Sequence, residues 1–257
     1  MAKLDVRMFP CLDDNYGFLA HDPDTGETAA IDTPDPEVYQ AEAKRAGWTI
    51  TQIWNTHHHH DHAGGNVALK AATGATVVGP GKDRARIPAM DVGVVEGDAV
   101  TLGSKTARVL ETPGHTTGHI VYVFDEDEVA FVGDTLFALG CGRLFEGSPE
   151  VMWPSLQKLL ALPDATLVYC AHEYTQANAR FAMSVEPDNA ALAERARAID
   201  AARAAGRPTV PTSIGLEKAT SPFVRPASEE IRERLGLEGA SDVEVFGAVR
   251  QAKDVFK

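Results

Sequence analysis

Eight of the nine histidines fall into three short blocks, and this clustering constrains the chain more than any other feature of its sequence. The first block, Thr56-His-His-His-His-Asp-His62 followed by Ala63-Gly-Gly65, comes directly after Ile50–Trp54, which reads as a short buried strand. The second, Thr112-Pro-Gly-His-Thr-Thr-Gly-His119, follows the strand-like Ala107–Glu111. The third, Ala171-His-Glu-Tyr174, follows the strand-like Thr166–Cys170. A histidine run that is internal, follows a buried strand and is interrupted by Asp61 does not have the pattern of an expression tag. The ninth, His21, sits at a strand end and is expected to be a surface or packing residue.

In an extended segment leaving a strand, alternate side chains face the same way. His57 and His59 are therefore predicted to point together, with His58 and His60 facing elsewhere. Asp61 continues the alternation, and His62 adds a nitrogen where the chain turns toward a helix. One loop can then offer two imidazoles to one cation and a carboxylate and an imidazole to another. The small residues Ala63, Gly64 and Gly65 let the backbone turn tightly behind them. Further donors stand at other strand ends: His115, His172, and Asp134 in Gly-Asp-Thr after the strand-like Val129–Val132. Loops at strand ends are where rigid scaffolds mount chemistry. The two oxygens of Asp134 can bridge a pair of cations about 3.5–4 Å apart. Taken singly, an HxH is more often a surface feature, such an aspartate a turn residue, and such a histidine a satisfied core group. The coincidence of all of them points to a two-metal hydrolytic centre. His58, His60 and His119 are expected to be bystanders, His119 with a supporting bond to a ligand.

Strand-like and helix-like segments alternate through about residue 172, in the manner of a layered α/β domain. Pro36–Ala46 reads as a helix ended by Gly47, Val67–Ala72 as helical, and Met152–Ala161 as a helix starting near Pro154. Tyr174–Ser184 and Asn189–Ala205 are helical, and a Pro/Thr/Ser-rich link and a polar tail to Lys257 follow. The expected domains are 1–172, catalytic, and 173–257, smaller and mostly helical. The net charge of −13 argues against nucleic acid or an anionic membrane as partner. No apolar stretch approaches the roughly 20 residues of a membrane span, and no export signal is apparent, so a cytoplasmic location is expected. Cys11, Cys141 and Cys170 form no CxxC pair and read as buried small apolar residues, Cys141 lying nearest the chemical motifs.

The motifs THHHHDHAGG, TPGHTTGH, GDTLF and HEYT, in this order, resemble those of the metallo-β-lactamase superfamily, and within it the glyoxalase II family of hydroxyacylglutathione hydrolases. The likeness extends from Asp14-Asn-Tyr16 to Arg250-Gln-Ala-Lys253. It implies a four-layer αββα metallo-β-lactamase sandwich with a smaller helical C-terminal domain. It further implies that His57, His59 and His115 hold one metal ion, that Asp61, His62 and His172 hold the second, and that Asp134 bridges them. Asp61, His62 and Asp134 are then the expected catalytic residues, through a hydroxide shared by the ions. The implied cofactors are two divalent cations, zinc first, with iron or manganese compatible. The implied reaction converts S-D-lactoylglutathione to glutathione and D-lactate, the second step of methylglyoxal detoxification. Arg143, Tyr174, Arg250 and Lys253 match the family's glutathione-binding positions. Arg250 and Lys253 would share a helix face if the tail is helical.

Two residues depart from some members of the family: Arg143 replaces a lysine, changing geometry but not charge, and Phe145 lacks a tyrosine hydroxyl. Nothing marks Cys141 as a nucleophile. The expected partner is a small-molecule thioester, acted on by a monomer. The alternatives within the superfamily are a mononuclear-iron persulfide dioxygenase, a lactonase or a β-lactamase. Outside catalysis, the alternative is a metal-binding protein that keeps the fold.

Overall fold

The computed structural model describes residues 2–256, so Met1 and Lys257, the ends of the expected domains, lie outside the described residues. The chain forms two compact units. One runs to Glu111 and includes Thr117–Gly133; the other takes Thr112–Thr116 and the described chain from Asp134 on. The main division by compactness falls at Gly133/Asp134.

The first unit begins with β1 (Asp5–Cys11), β2 (Asn15–His21) and β3 (Glu27–Ile31), then α1 (Pro36–Ala46) and β4 (Thr49–Trp54). A single turn of helix, α2 (His60–Ala63), precedes α3 (Asn66–Thr73), β5 (Thr76–Pro80) and β6 (Val92–Val94). The strands β7 (Ala99–Leu102), β8 (Lys105–Glu111), β9 (Ile120–Phe124) and β10 (Val129–Gly133) complete it. The strands β1 to β6 form one sheet in sequence order, antiparallel through β3 and parallel beyond it. The parallel pairs β3–β4 and β4–β5 are each joined by a helix, as a parallel connection requires. The strands β7 to β10 form an antiparallel meander.

The two sheets meet through aromatic residues: Phe18 lies 5.7 Å from Phe131 between ring centroids, and Trp54 stacks on Phe124 at 5.8 Å. The opposite face of the first sheet is covered by α1 and α3, where Tyr39, Ala43 and Leu69 pack on Ile53 and Val77. Each buried Leu or Ile there contributes roughly 1.5–3 kcal/mol. Tyr39 is fully buried and donates its hydroxyl to the Ile31 carbonyl at 2.7 Å. The helix α1 starts where its sequence dictates: Asp35 caps the amides of Glu37 and Val38, Pro36 stands at the first position, and Gly47 closes the end in the left-handed region.

The second unit contains the hairpin β11 (Leu136–Phe137) and β12 (Gly140–Cys141), α4 (Pro149–Leu160), β13 (Leu167–Cys170), α5 (Thr175–Val185) and α6 (Ala190–Ala204). These are followed by β14 (Thr212–Ser213), which pairs with β13, and by α7 (Ile214–Thr220), α8 (Glu229–Leu235) and α9 (Asp242–Val255). Helix α4 starts three residues before the expected Met152, because Pro149 takes the first position and Pro154 lies inside. The segment read as a polar tail is largely helical. Ser213, Ser228 and Ser241 each accept a backbone N–H at the start of α7, α8 and α9, with a full capping box at Ser241–Glu244. Leu139, Ala179, Ala182, Leu192 and Ile199 form one core here, and Trp153 of α4 meets Phe246 of α9 at 5.8 Å. No helix of the described residues is long and apolar enough to cross a membrane.

Candidate functional site

In the first unit the donors hang on the end of β4. Parallel pairing of Ile31 with Trp54 continues as the Asp32 amide donates to the Trp54 carbonyl at 2.8 Å, which sets Asp32 beside Thr56. Asp32 has φ 53° and is buried. Its Oδ1 accepts the Thr56 amide at 2.8 Å, and its Oδ2 accepts the Thr56 hydroxyl at 3.0 Å and faces His62 Nδ1 at 2.9 Å. A buried carboxylate on Nδ1 holds the proton there and leaves Nε2 with its lone pair. His57 Nε2 lies 3.0 Å from His59 Nδ1, as the alternation predicts for these two.

The chain turns helical at His60, sooner than the alternation implied, so Asp61 and His62 stand on α2. Asp61 Oδ2 lies 3.4 Å from His62 Nε2 and accepts from Asn15 Nδ2 at 3.2 Å. The turn back into α3 is tight. Gly65 donates to the Thr33 carbonyl at 2.9 Å, and a Cβ there would strike that oxygen. Asn55 and Asn66 brace the turn, Asn55 Nδ2 donating to the His62 carbonyl at 2.9 Å and Asn66 Nδ2 to Asn55 Oδ1 at 2.7 Å.

The expected bystanders have other surroundings. His58 faces Asp83 Oδ2 at 3.2 Å and takes a contact from Arg86, and His60 is exposed. His119 is buried and stacks on His57 at 4.8 Å between ring centroids. Gly133 has φ +48°, and a Cβ on it would collide with Thr56 and His119. Glycine is therefore required where β10 ends.

The second unit carries the other donors. His115, Asp134 and His172 are all buried. The two carboxylate oxygens of Asp134 face different imidazoles: Oδ2 lies 3.4 Å from His115 Nε2, and Oδ1 lies 3.4 Å from His172 Nε2. His115 Nδ1 donates to the Arg143 carbonyl at 2.8 Å, which again leaves Nε2 with its lone pair, as a candidate donor to a cation. A carboxylate flanked on each oxygen by an imidazole nitrogen at this distance suits two shared cations better than direct hydrogen bonds. The donor set, imidazole nitrogen with carboxylate oxygen, fits zinc, iron or manganese.

A cavity of about 440 Å³ in this unit has His115 and Asp134 in its lining, and all four expected substrate-binding residues, Arg143, Tyr174, Arg250 and Lys253, line it too. Tyr174 stacks flat on His172 at 4.8 Å, with Phe137 edge-on to both. Phe145 is exposed and lies 5.3 Å from His115.

Arg250 and Lys253 both lie on α9, but they differ. Arg250 is buried: it donates to the Cys141 carbonyl at 2.7 Å and to Asp254 at 2.9 Å and lies over the Phe223 ring. Lys253 is half-buried over Phe181 and Phe256. Burial, reinforced by Arg250, Arg180 and Arg143, holds its ammonium below the ordinary lysine pKa. The Cys141 thiol is pushed up to about 11 by burial despite Arg250 alongside, so it stays protonated and is no nucleophile. Cys11 and Cys170 are likewise buried, each pushed up to about 12.

Sequence reasoning did not single out Asp32, Thr56, Asn55, Asn66 or Asp254. An acid closing the apolar run Thr28–Ile31 was the one readable signal for Asp32.

The metallo-beta-lactamase superfamily model matches residues 18–172, and that of the hydroxyacylglutathione hydrolase C-terminus matches residues 173–256. The hydroxyacylglutathione hydrolase of Maricaulis maris is 60% identical over 256 residues, covering 100% of both chains. That of Methylococcus capsulatus is 55% identical over 256 residues, covering 99% of both. Among solved structures, ETHE1 from Myxococcus xanthus superposes with a TM-score of 0.69 at 28% identity, over 96% of this chain and 90% of that one.

Proposed function

Because the chain belongs to the hydroxyacylglutathione hydrolases of the metallo-β-lactamase superfamily, we propose that it hydrolyses glutathione thioesters, S-D-lactoylglutathione first, to glutathione and the free hydroxy acid. One observation carries the reading. The same cavity presents metal-type donors, His115 and Asp134, together with the cations Arg143, Arg250 and Lys253. A glutathione thioester needs both: a hydrolytic centre for its carbonyl and cations for its two carboxylates.

The residues fit two divalent cations. His57, His59 and His115 would hold one, Asp61, His62 and His172 the other, and Asp134 would give one oxygen to each. Zinc is the proposed identity. Bound there, such ions make water acidic enough to ionise near neutral pH and polarise a thioester carbonyl. The chain's own contribution is to fix which imidazole nitrogen carries the proton and which keeps its lone pair. Asp32 does this for His62, and the Arg143 carbonyl does it for His115. Asp61, His62 and Asp134 stand nearest the chemistry in this reading.

Lys253, with Arg250 behind it, attracts the glycine carboxylate, and Tyr174 packs along the peptide. A thiolate leaves readily, so the site needs no strong general acid. In this division of labour residues 1–172 supply the reaction and 173–257, with Arg143, hold the peptide, in a cytoplasmic monomer.

The test is a thioester assay on purified protein, with elemental analysis. We expect loss of S-D-lactoylglutathione, two ions per chain, abolition by chelation and recovery on adding zinc. A fully metallated sample inert to every glutathione thioester would refute the reading. One iron per chain would favour the persulfide dioxygenase instead.

A further inference from the structure

A second cavity of about 490 Å³ lies in the same unit and shares Arg143, Phe145 and Arg250 with the first, adding Gln251 and Asp254. Asp254 is the odd member of this wall. It is a carboxylate among cations, where the proposed substrate brings two carboxylates of its own. Its Oδ1 accepts from Arg250 Nη2 at 2.9 Å and lies 3.7 Å from Arg143 Nε. Both contacts fall on one oxygen, and Oδ2 has no hydrogen-bond partner among the described residues. The side chain is 42% exposed. Bracing Arg250 explains Oδ1 but leaves Oδ2 idle. An acid in an anion-binding wall repels the ligand unless the ligand also carries a cation.

Glutathione carries one. Its γ-glutamyl end has an α-ammonium and an α-carboxylate on the same carbon, so a matching site needs an acid and a base side by side. Asp254 and Arg143 are such a pair. Arg143 is 66% exposed, its guanidinium free to turn to a carboxylate through paired N–H groups. The charges also match in number once Arg250 is set aside as the brace of the wall: Arg143, Lys253 and Asp254 give two cations and one anion, against two carboxylates and one ammonium. An extended tripeptide spans about 10 Å, enough to set its two ends on different members of this wall.

We propose that Asp254, paired with Arg143, determines specificity for the zwitterionic γ-glutamyl end of the substrate, its Oδ2 accepting from the α-ammonium. The glycine carboxylate is left to Lys253, with Arg250 behind it. This inference rests on the glutathione thioesterase reading.

The test uses Asp254→Asn, which keeps an oxygen for Arg250, and two substrates, the lactoyl thioesters of glutathione and of N-acetylglutathione. The wild type should show a KM about tenfold higher for the N-acetyl substrate, which has no ammonium. In Asp254→Asn the KM for the glutathione thioester should rise about tenfold with kcat unchanged, while that for the N-acetyl substrate stays put. A variant that raises both KM values equally would show a purely structural role and overturn the proposal, as would a wild-type KM ratio kept in the variant. Calorimetry with S-methylglutathione and its N-acetyl derivative makes the same comparison without turnover. An ammonium preference that Asp254→Asn removes, in a protein inert to thioesters, would support Asp254 and overturn the reaction. No binding of either ligand would overturn the proposal itself.

Discussion

Replacing Asp32 with asparagine is expected to weaken metal binding at His62 while leaving the protein folded. The structure dictates how the amide must sit. The Thr56 backbone N–H, 2.8 Å from Oδ1, can only donate, so the amide oxygen has to stay there. The new NH2 group then occupies the place of Oδ2, facing His62 Nδ1 at 2.9 Å. Two donors cannot face each other, so the imidazole must move its proton to Nε2 to make Nδ1 an acceptor. Nε2, the nitrogen 3.4 Å from Asp61 Oδ2, thereby loses the lone pair that a cation needs. Changes at such outer partners cost roughly 10–100-fold in metal affinity, about 1.4–2.7 kcal/mol. Two measurements check this. Chelator competition should show one of the two ions weakened by that factor. Nitrogen-15 spectra of the metal-free protein should show His62 switching from the Nδ1–H to the Nε2–H tautomer. A folded variant with both ions at wild-type affinity, or with His62 still protonated on Nδ1, would refute the reasoning.

Lys253 gives a pH prediction. Its pKa is held below the ordinary 10.5 by burial and then by Arg250, Arg180 and Arg143, so it loses its charge at a pH where a surface lysine is still protonated. KM for an anionic thioester should therefore begin to climb below pH 10.5, and Lys253→Arg, whose guanidinium does not titrate, should flatten the climb; a KM equally steep in both proteins would speak against it. Glu217→Ala removes a fully buried carboxylate that holds Arg195 at 2.5 Å and accepts from Thr212 and the Leu139 amide. Stranding Arg195 should lower unfolding free energy by about 3–5 kcal/mol, read from the urea midpoint, and a loss under about 1 kcal/mol would contradict the account.

The candidate donors were legible because histidine and aspartate at strand ends leave a mark in spacing alone: His57 and His59 alternate, and Asp134 follows a strand as Gly-Asp-Thr. What orients them was not, because it depends on pairings between distant segments. Asp32 reaches Thr56 and His62 only through the parallel register of β3 on β4, 23 residues apart at Ile31 and Trp54, and parallel registers have no local signature. The partner of His58, Asp83, comes from a separate turn 25 residues on. The early helical turn at His60 overrode the extended alternation, since the Asn55 and Asn66 side chains hold the following bend from both sides. The basic pair near the end shows the same limit most clearly. Spacing puts Arg250 and Lys253 on one helical face, and both do line one cavity. Spacing does not reveal that the Arg250 guanidinium spends its bonds on the carbonyl of Cys141, 109 residues upstream, and on Asp254. The two cations are therefore unequal. Lys253 lies over two aromatic rings at the edge of the cavity, and Arg250 is tied into its wall.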